Sequence, residues 1–317
     1  MKTAKFFILG ITLLLFSSAN AFNAAKASDK DAKHHPAFLV KKSLSLVSRN
    51  YPTEPTTLNA FYKEEVSRNN SYLSINEAIL AVHKESYLKS KRDVVSVKDI
   101  RAFNNMESED SICVKLQGGP LCALDLDIAK NPFLGCETYD IDKYYTFSYN
   151  KPETINNKEY YVIDFKPLYK KDQILFRGKL FIEKNSLAIG RIVYSMDVQR
   201  DAWSYKRFVK KSPKGKEMKI NSAEYVVNYK ERDGKWFFDY SSSDIQLNIT
   251  DPSTRVYDIY NLKSQIAVIN LVSDNNPSED QMIIDKSDVM ADLAGKYNSD
   301  SEWDKYNMIM AMASDLK

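Results

Sequence analysis

The chain changes its hydrophobic period several times. Ala37, Val40, Leu44 and Val47 recur at helical spacing, and Asn50-Tyr51-Pro52 ends the run. This predicts a helix near 37–49. Leu58, Ala60, Tyr62 and Val66 then alternate with Asn59, Lys63 and Glu65, the period of a strand. Ile75, Ala78, Ile79 and Val82 return to a helical stripe, which predicts a second helix near 76–88. Val94 to Ala102 alternates weakly, and Ser111 to Leu116 is a further strand candidate. Gly118-Gly119-Pro120 breaks that pattern. Pro120 suits the first turn of a short helix carrying Leu121, Leu124 and Ile128. A hairpin across the two glycines is the competing reading, and the helix is preferred.

After Tyr139 the period is two. Tyr144 to Tyr149, Glu159 to Phe165, Ile174 to Ile182 and Ala188 to Val198 all alternate, with Lys184-Asn185-Ser186 as the turn between the last two. Asp233-Gly234 is the strongest hairpin signal. A two-residue loop there sets Arg232 opposite Lys235, Tyr229 opposite Phe238 and Val227 opposite Tyr240. Trp236, Phe238 and Tyr240 then share a face with Tyr225, Val227 and Tyr229. Strand signal continues through Ile245 to Ile249 and Val256 to Val272. No helical pattern interrupts Tyr139 to Val272, and parallel strands need crossover connections, so the sheet is expected to be antiparallel. The predicted fold class is α+β, mainly antiparallel β. The expected form is a curved sheet or half-barrel with two or three helices covering its concave face.

The ends of the chain set the organisation. Lys2 and Lys5 precede an apolar run from Phe6 to Phe16, and Ala19-Asn20-Ala21 supplies small residues for cleavage. Residues 1–21 read as a signal peptide; the run is shorter than the roughly 20 residues of a spanning helix. No Cys lies near the cut, so no lipid anchor is expected. Residues 22–36 form a polar leader, 37–272 a single domain, and 273–317 a tail packing on it. The expected location is the periplasm or cell envelope.

Composition narrows the classes. The chain has 317 residues, 27% charged and 44% hydrophobic, which is an ordinary globular composition. Its formal charge of +3 falls to +1 when Lys2 and Lys5 leave with the signal, so charge gives no case for nucleic acid. Cys113, Cys122 and Cys136 are an odd set within a short segment. One local bridge and small buried residues are both compatible with them. Their spacing matches no zinc pattern, and no metal or cofactor is expected.

Several stretches resemble one family. Asn50-Tyr51-Pro52 with Leu58-Asn59-Ala60-Phe61-Tyr62-Lys63-Glu64 is similar to its "NYP … FYRE" signature, with Lys63 where Arg is usual. Gly118-Gly119 with Leu124 and Asp127 follows in the same order. So do Tyr160-Tyr161-Val162-Ile163-Asp164-Phe165 and Gly178-Lys179-Leu180-Phe181-Ile182. Trp303-Asp304-Lys305-Tyr306-Asn307-Met308-Ile309 resembles its closing element. These are the Bacteroidetes envelope proteins named for a carboxypeptidase-like regulatory domain. The resemblance is scattered over residues 37 to 310 and lacks the N-terminal regulatory β-sandwich. It implies no peptidase. It implies an architecture similar to periplasmic lipoprotein carriers, whose curved sheets wrap an apolar cavity.

Catalytic chemistry has little support. There is no nucleophile elbow, phosphate loop, zinc-protease motif or dinucleotide fingerprint. His83 is the one histidine outside the leader, and it reads as a helix-boundary residue rather than a base. Asp125 and Asp127 are a candidate acid pair, with solvated carboxylates as the plainer reading. No enzyme is expected. The expected function is a non-catalytic binding or carrier module for an apolar or amphipathic ligand, a lipid or an acylated partner. Its cavity candidates are Phe176, Leu180, Ile192, Tyr194, Trp236 and Phe238. The alternative is an envelope scaffold or protein-interaction module. A basic loop supplies Lys206, Arg207, Phe208, Lys210, Lys211 and Lys214 as membrane or partner contacts, against the plainer reading of a solvated loop.

Overall fold

The structure is a computed structural model and describes residues 35–104, 119–131, 138–168, 176–198, 215–272, 282–294 and 303. It opens with helix α1 (Pro36–Ser45) and the single turn α2 (Val47–Asn50). His35 caps α1, its Nδ1 accepting from the Ala37 amide at 3.3 Å. Strands β1 (Thr56–Arg68), β2 (Ser71–Lys84) and β3 (Val94–Asn104) follow. Helix α3 (Gly119–Asp125) and a 3-10 turn (Thr138–Lys143) come next. Then come β4 (Tyr145–Tyr149), β5 (Glu153–Ile155), β6 (Lys158–Pro167), β7 (Phe176–Glu183) and β8 (Ile189–Met196). The long strands are β9 (Glu217–Arg232), β10 (Lys235–Thr250) and β11 (Tyr257–Val272). β12 (Met282–Ile283) and α4 (Met290–Ala294) complete the set.

All twelve strands belong to one sheet, ordered β12-β3-β2-β1-β11-β10-β9-β8-β7-β6-β4 with β5 beside β6, and it is not closed. Every pairing is antiparallel. Tight turns make this local pairing cheap. Asp233 and Gly234 have φ of +50° and +75°, the left-handed pair a two-residue hairpin needs. Asn69-Asn70 and Asn156-Asn157 use the same conformation between β1 and β2 and between β5 and β6. Asn tolerates positive φ better than other side chains do.

The second predicted helix is instead strand β2. Its stripe of Ile75, Ala78, Ile79 and Val82 is two strand patterns superimposed. Ala78, Leu80 and Val82 join the main core, while Ile79 packs with Phe61, Tyr240, Ala267 and Trp303 on the other face. A strand buried on both faces loses simple alternation, and periodicity alone then cannot separate it from a helix. The preferred short helix after Gly118 is present as α3.

The hairpin register holds through Arg232–Lys235 and Tyr229–Phe238. A bulge at Asp239 then shifts it. Val227 faces Ser241, not Tyr240 as the sequence predicts, and Tyr240 pairs with Asn228. The extra residue turns Tyr240 to the opposite face, where it joins Phe61 and Trp303.

The two faces differ. Leu58, Ala60 and Tyr62 of β1 and Leu80 and Val82 of β2 line the first. Val40 and Leu44 of α1, Leu121 and Leu124 of α3, and Met290 and Leu293 of α4 pack over it. This is the covered face. Ser241 Oγ donates to the Ala123 carbonyl at 2.8 Å and ties α3 to β10. The opposite face, with its small Phe61–Trp303 cluster, is the open face. Among the described residues no helix is long and apolar enough to cross a membrane.

Candidate functional site

The six cavity candidates all lie in the covered-face core, at 6% exposure or less. Leu180 is paired with Ile192 across β7 and β8. Tyr194 stacks on Tyr225 with ring centroids 4.9 Å apart, and Phe176 meets Tyr194 edge-on at 5.5 Å. Trp236 meets Tyr160 edge-on at 6.5 Å, in a neighbouring patch with Phe238. The structure therefore gathers these residues but packs them on one another. Gly178 and Gly190 permit this. A Cβ at Gly178 would lie 2.1 Å from the Val193 carbonyl oxygen, and one at Gly190 would lie 2.6 Å from the Tyr160 ring. Lys206, Arg207, Phe208, Lys210, Lys211 and Lys214 lie outside the described residues, as do Cys113, Cys136 and the strand candidate at 111–116.

A buried charged network sits at one end of the same face. Lys84 is the next covered-face position after Val82 at the end of β2. Its Nζ lies 2.7 Å from Asp127 Oδ2 and 2.9 Å from Asp93 Oδ2. Lys130 closes on the other oxygen of Asp93. The hydroxyls of Tyr87 and Tyr229 donate to Asp127 at 2.8 and 2.7 Å. Tyr51 stacks on Tyr87 at 5.1 Å and donates to the Ile189 carbonyl at 2.7 Å. Lys84 also lies over the ring of Phe238, 5.0 Å from its centroid.

Charge states follow from these contacts. Burial by itself lowers the Lys84 pKa, but Asp127 and Asp93 reverse this and hold the ammonium above its usual range. Burial pushes the Asp93 carboxyl up, and Lys84 and Lys130 more than offset it, so Asp93 sits below its ordinary value. Each buried charge is thus paired, as low dielectric requires. Asp127 is not half of an acid pair with Asp125. Asp127 is fully buried in the network, whereas Asp125 is half exposed and paired with Lys286. His83 lies on β2 within 3.4 Å of Thr57 Oγ1, on a strand rather than at a helix boundary.

In front of the network a cleft of about 500 Å³ opens between α3 and β12. Its apolar surface comes from Val94, Leu121, Leu124, Ile283 and Ile284. Its charged rim comes from Arg92, Asp93, Asp125, Asp285 and Lys286. Asp93 belongs to both cleft and network. Ile283 is 59% exposed on the two-residue edge strand β12. Sequence reasoning missed this cleft because its walls come from segments far apart in the chain. The local signals were present: an apolar Ile283-Ile284 pair beside Asp285-Lys286, and Leu121 and Leu124 one turn apart.

No protein-family model and no curated protein matches the chain. Solved structures do. A Desulfovibrio piger protein of the DUF1329 family is 13% identical, with 77% of this chain and 96% of that chain covered and a TM-score of 0.31. A domain from Vibrio parahaemolyticus, provisionally described as an outer membrane lipoprotein-sorting protein, is 12% identical, with 76% and 95% covered and a TM-score of 0.26. A LolA superfamily protein from Nitrosomonas europaea is 10% identical, with 75% and 95% covered and a TM-score of 0.24. At these values the likeness assigns neither a family nor a ligand.

Proposed function

We propose that this protein is an exported, non-catalytic binding module of the cell envelope for an apolar or amphipathic ligand, a lipid or an acylated partner. The observation that carries the reading is the α3–β12 cleft, apolar inside and charged at its rim. A site of this volume lies within the range of about 300–1,000 Å³ usual for ligand pockets. An acyl chain fits against Leu121, Leu124 and Ile283. A polar headgroup would then meet Arg92 and Lys286. Area burial supplies the affinity, at about 25 cal/mol per Å². This moves the site from the sheet residues expected from sequence to the edge of the covered face. Export rests on the leader pattern at residues 1–21. The resemblance to Bacteroidetes envelope proteins with a carboxypeptidase-like regulatory domain belongs to the same proposal. Two of its motif residues, Tyr51 and Asp127, both contact Tyr87.

A second reading, a scaffold that binds protein alone, is favoured by the mutual packing of Phe176, Tyr194 and Tyr225. One experiment separates the two. The protein purified from its native envelope fraction is measured by non-denaturing mass spectrometry, and bound material is extracted. A stoichiometric acyl adduct, lost in Ile283→Asp while the melting temperature is kept, is the expected result. A bare protein that also refuses added lipids would sink the ligand reading and leave the scaffold.

A further inference from the structure

We propose that the open face carries a second binding site, for a neutral oligosaccharide. A cleft of about 560 Å³ crosses β2, β1, β11, β10 and β9 on the side away from the core. Its walls differ in kind from those of the α3–β12 cleft. Tyr72, Asn261, Gln246, Asp244, Glu224 and Lys263 line it, with one aromatic ring among polar tips. These side chains occupy one face because they alternate with core positions. Asp244 and Gln246 flank Ile245, which is buried, and Glu224 lies between buried Ala223 and Tyr225.

The polar groups are preset. Gln246 Nε2 donates to Asn261 Oδ1 at 3.1 Å, and Asn221 Nδ2 donates to Gln246 Oε1 at 3.3 Å and to Asn248 Oδ1 at 2.6 Å. A row of fixed amides and carboxylates offers both donors and acceptors. Polyhydroxylated molecules need that mixture. Tyr72 is 51% exposed at the rim, so its ring is open to stack on the C–H face of a sugar. Asp244 stands opposite Glu224 in the β9–β10 register and opposite Lys263 in the β10–β11 register, and Lys263 pairs with it at 3.4 Å, so acceptors and a donor alternate across the cleft.

The chemistry excludes other ligand classes. The lining holds carboxylates from Glu65, Glu224 and Asp244; Lys63 pairs with Glu65 at 2.9 Å and Lys263 with Asp244 at 3.4 Å, so the cleft has no surplus of positive charge to hold phosphates or acidic sugars. Among the described residues no group of three or more His, Cys, Asp or Glu side chains could hold a metal ion. Apart from the Tyr72 ring, nothing in the lining offers an acyl chain the burial that the other cleft offers.

The test uses the purified protein with maltotriose, cellotriose, mannotriose and chitotriose, titrated by calorimetry and ligand-observed NMR at low and high salt. One of the four should bind with a Kd between about 1 μM and 1 mM, independent of salt. Tyr72→Ala and Gln246→Ala should each weaken it about tenfold or more, with melting temperature and acyl binding unchanged. Tyr72→Phe should retain binding, since the ring is kept. Binding unaltered in both alanine variants would overturn the proposal. So would absence of binding by all four at about 10 mM. Binding of spermine alone, falling steeply with salt, would make the cleft a cation site and overturn it as well.

Discussion

Lys84 Nζ lies 2.7 Å from Asp127 Oδ2, and neither side chain is open to water, at 2% and 0% exposure. The pair joins the end of β2 to the segment after α3. Asp93 and Lys130 extend it, so charges fasten the two loops in addition to the apolar burial of Tyr87, Leu126, Ile128 and Ala129. Such pairing offsets desolvation only while all partners remain.

Asp127→Asn should therefore destabilise the protein by about 3–5 kcal/mol, because Lys84 keeps its buried charge with one partner fewer. Urea denaturation at neutral pH measures this. Replacing both, Lys84→Met with Asp127→Leu, should cost less than the single change. A double variant that is weaker than the single would show that the network acts through its hydroxyl contacts from Tyr87 and Tyr229 instead.

Glu64 gives stability a pH dependence of its own. It is buried on the covered face, where Tyr62 Oη donates to it at 2.8 Å and Asn76 Nδ2 at 2.9 Å. Burial raises its pKa to about 7, and the two hydrogen bonds only partly oppose this. The folded protein thus holds this proton more tightly than the unfolded chain. Its contribution to stability should be full below the ordinary carboxyl value and should be lost as pH rises towards 7, by about 3 kcal/mol in all. Glu64→Gln should flatten that slope. A slope unchanged in the variant would assign it to other groups.

Two glycines should fail for different reasons. Gly234 has φ of +75° and open space around its would-be Cβ, so Gly234→Ala costs only the left-handed backbone, about 1 kcal/mol. Gly178 has no such φ, but its Cβ would meet backbone atoms of Val193 and Tyr194 at 2.1 and 2.6 Å. Backbone cannot rotate away. Gly178→Ala should cost more than Gly234→Ala and should move Tyr194. Thermal melting with near-ultraviolet dichroism compares them; equal losses would contradict the packing argument.

Tyr194→Phe should be neutral or stabilising by up to about 1 kcal/mol. Among the described residues the buried Tyr194 hydroxyl has no hydrogen-bond partner, and removing it relieves a desolvation cost while the ring stays stacked on Tyr225. A clear loss in thermal stability would show that the hydroxyl has a role.

The sequence by itself determined the antiparallel sheet. Its signals are local: period two from Tyr144 onward and turn residues able to take positive φ at Asp233-Gly234. It also marked α1 by spacing and α3 by the proline after two glycines. These need no knowledge of distant segments, because turn geometry and side-chain alternation act within a few residues. The Asn69-Asn70 turn was equally readable and would have argued for a β1–β2 hairpin.

Tertiary structure alone decided the rest. β2 is a strand because both of its faces are buried, one by the main core and one by Phe61 and Trp303, and no window of sequence contains those partners. The bulge at Asp239 turns Tyr240 to the open face, where Phe61 of β1 and Ala267 of β11 pack with it, and the hairpin sequence contains neither partner. The expected cavity residues were legible as apolar and aligned, but whether aligned aromatics enclose space or fill it depends on volumes summed across strands. Asp127 reads in the sequence as a solvated carboxylate or as half of an acid pair with Asp125, and only the approach of separate segments joins it to Lys84, Asp93 and Lys130 in a network. Both clefts arise in the same way, from residues that share a place in space and not in the chain.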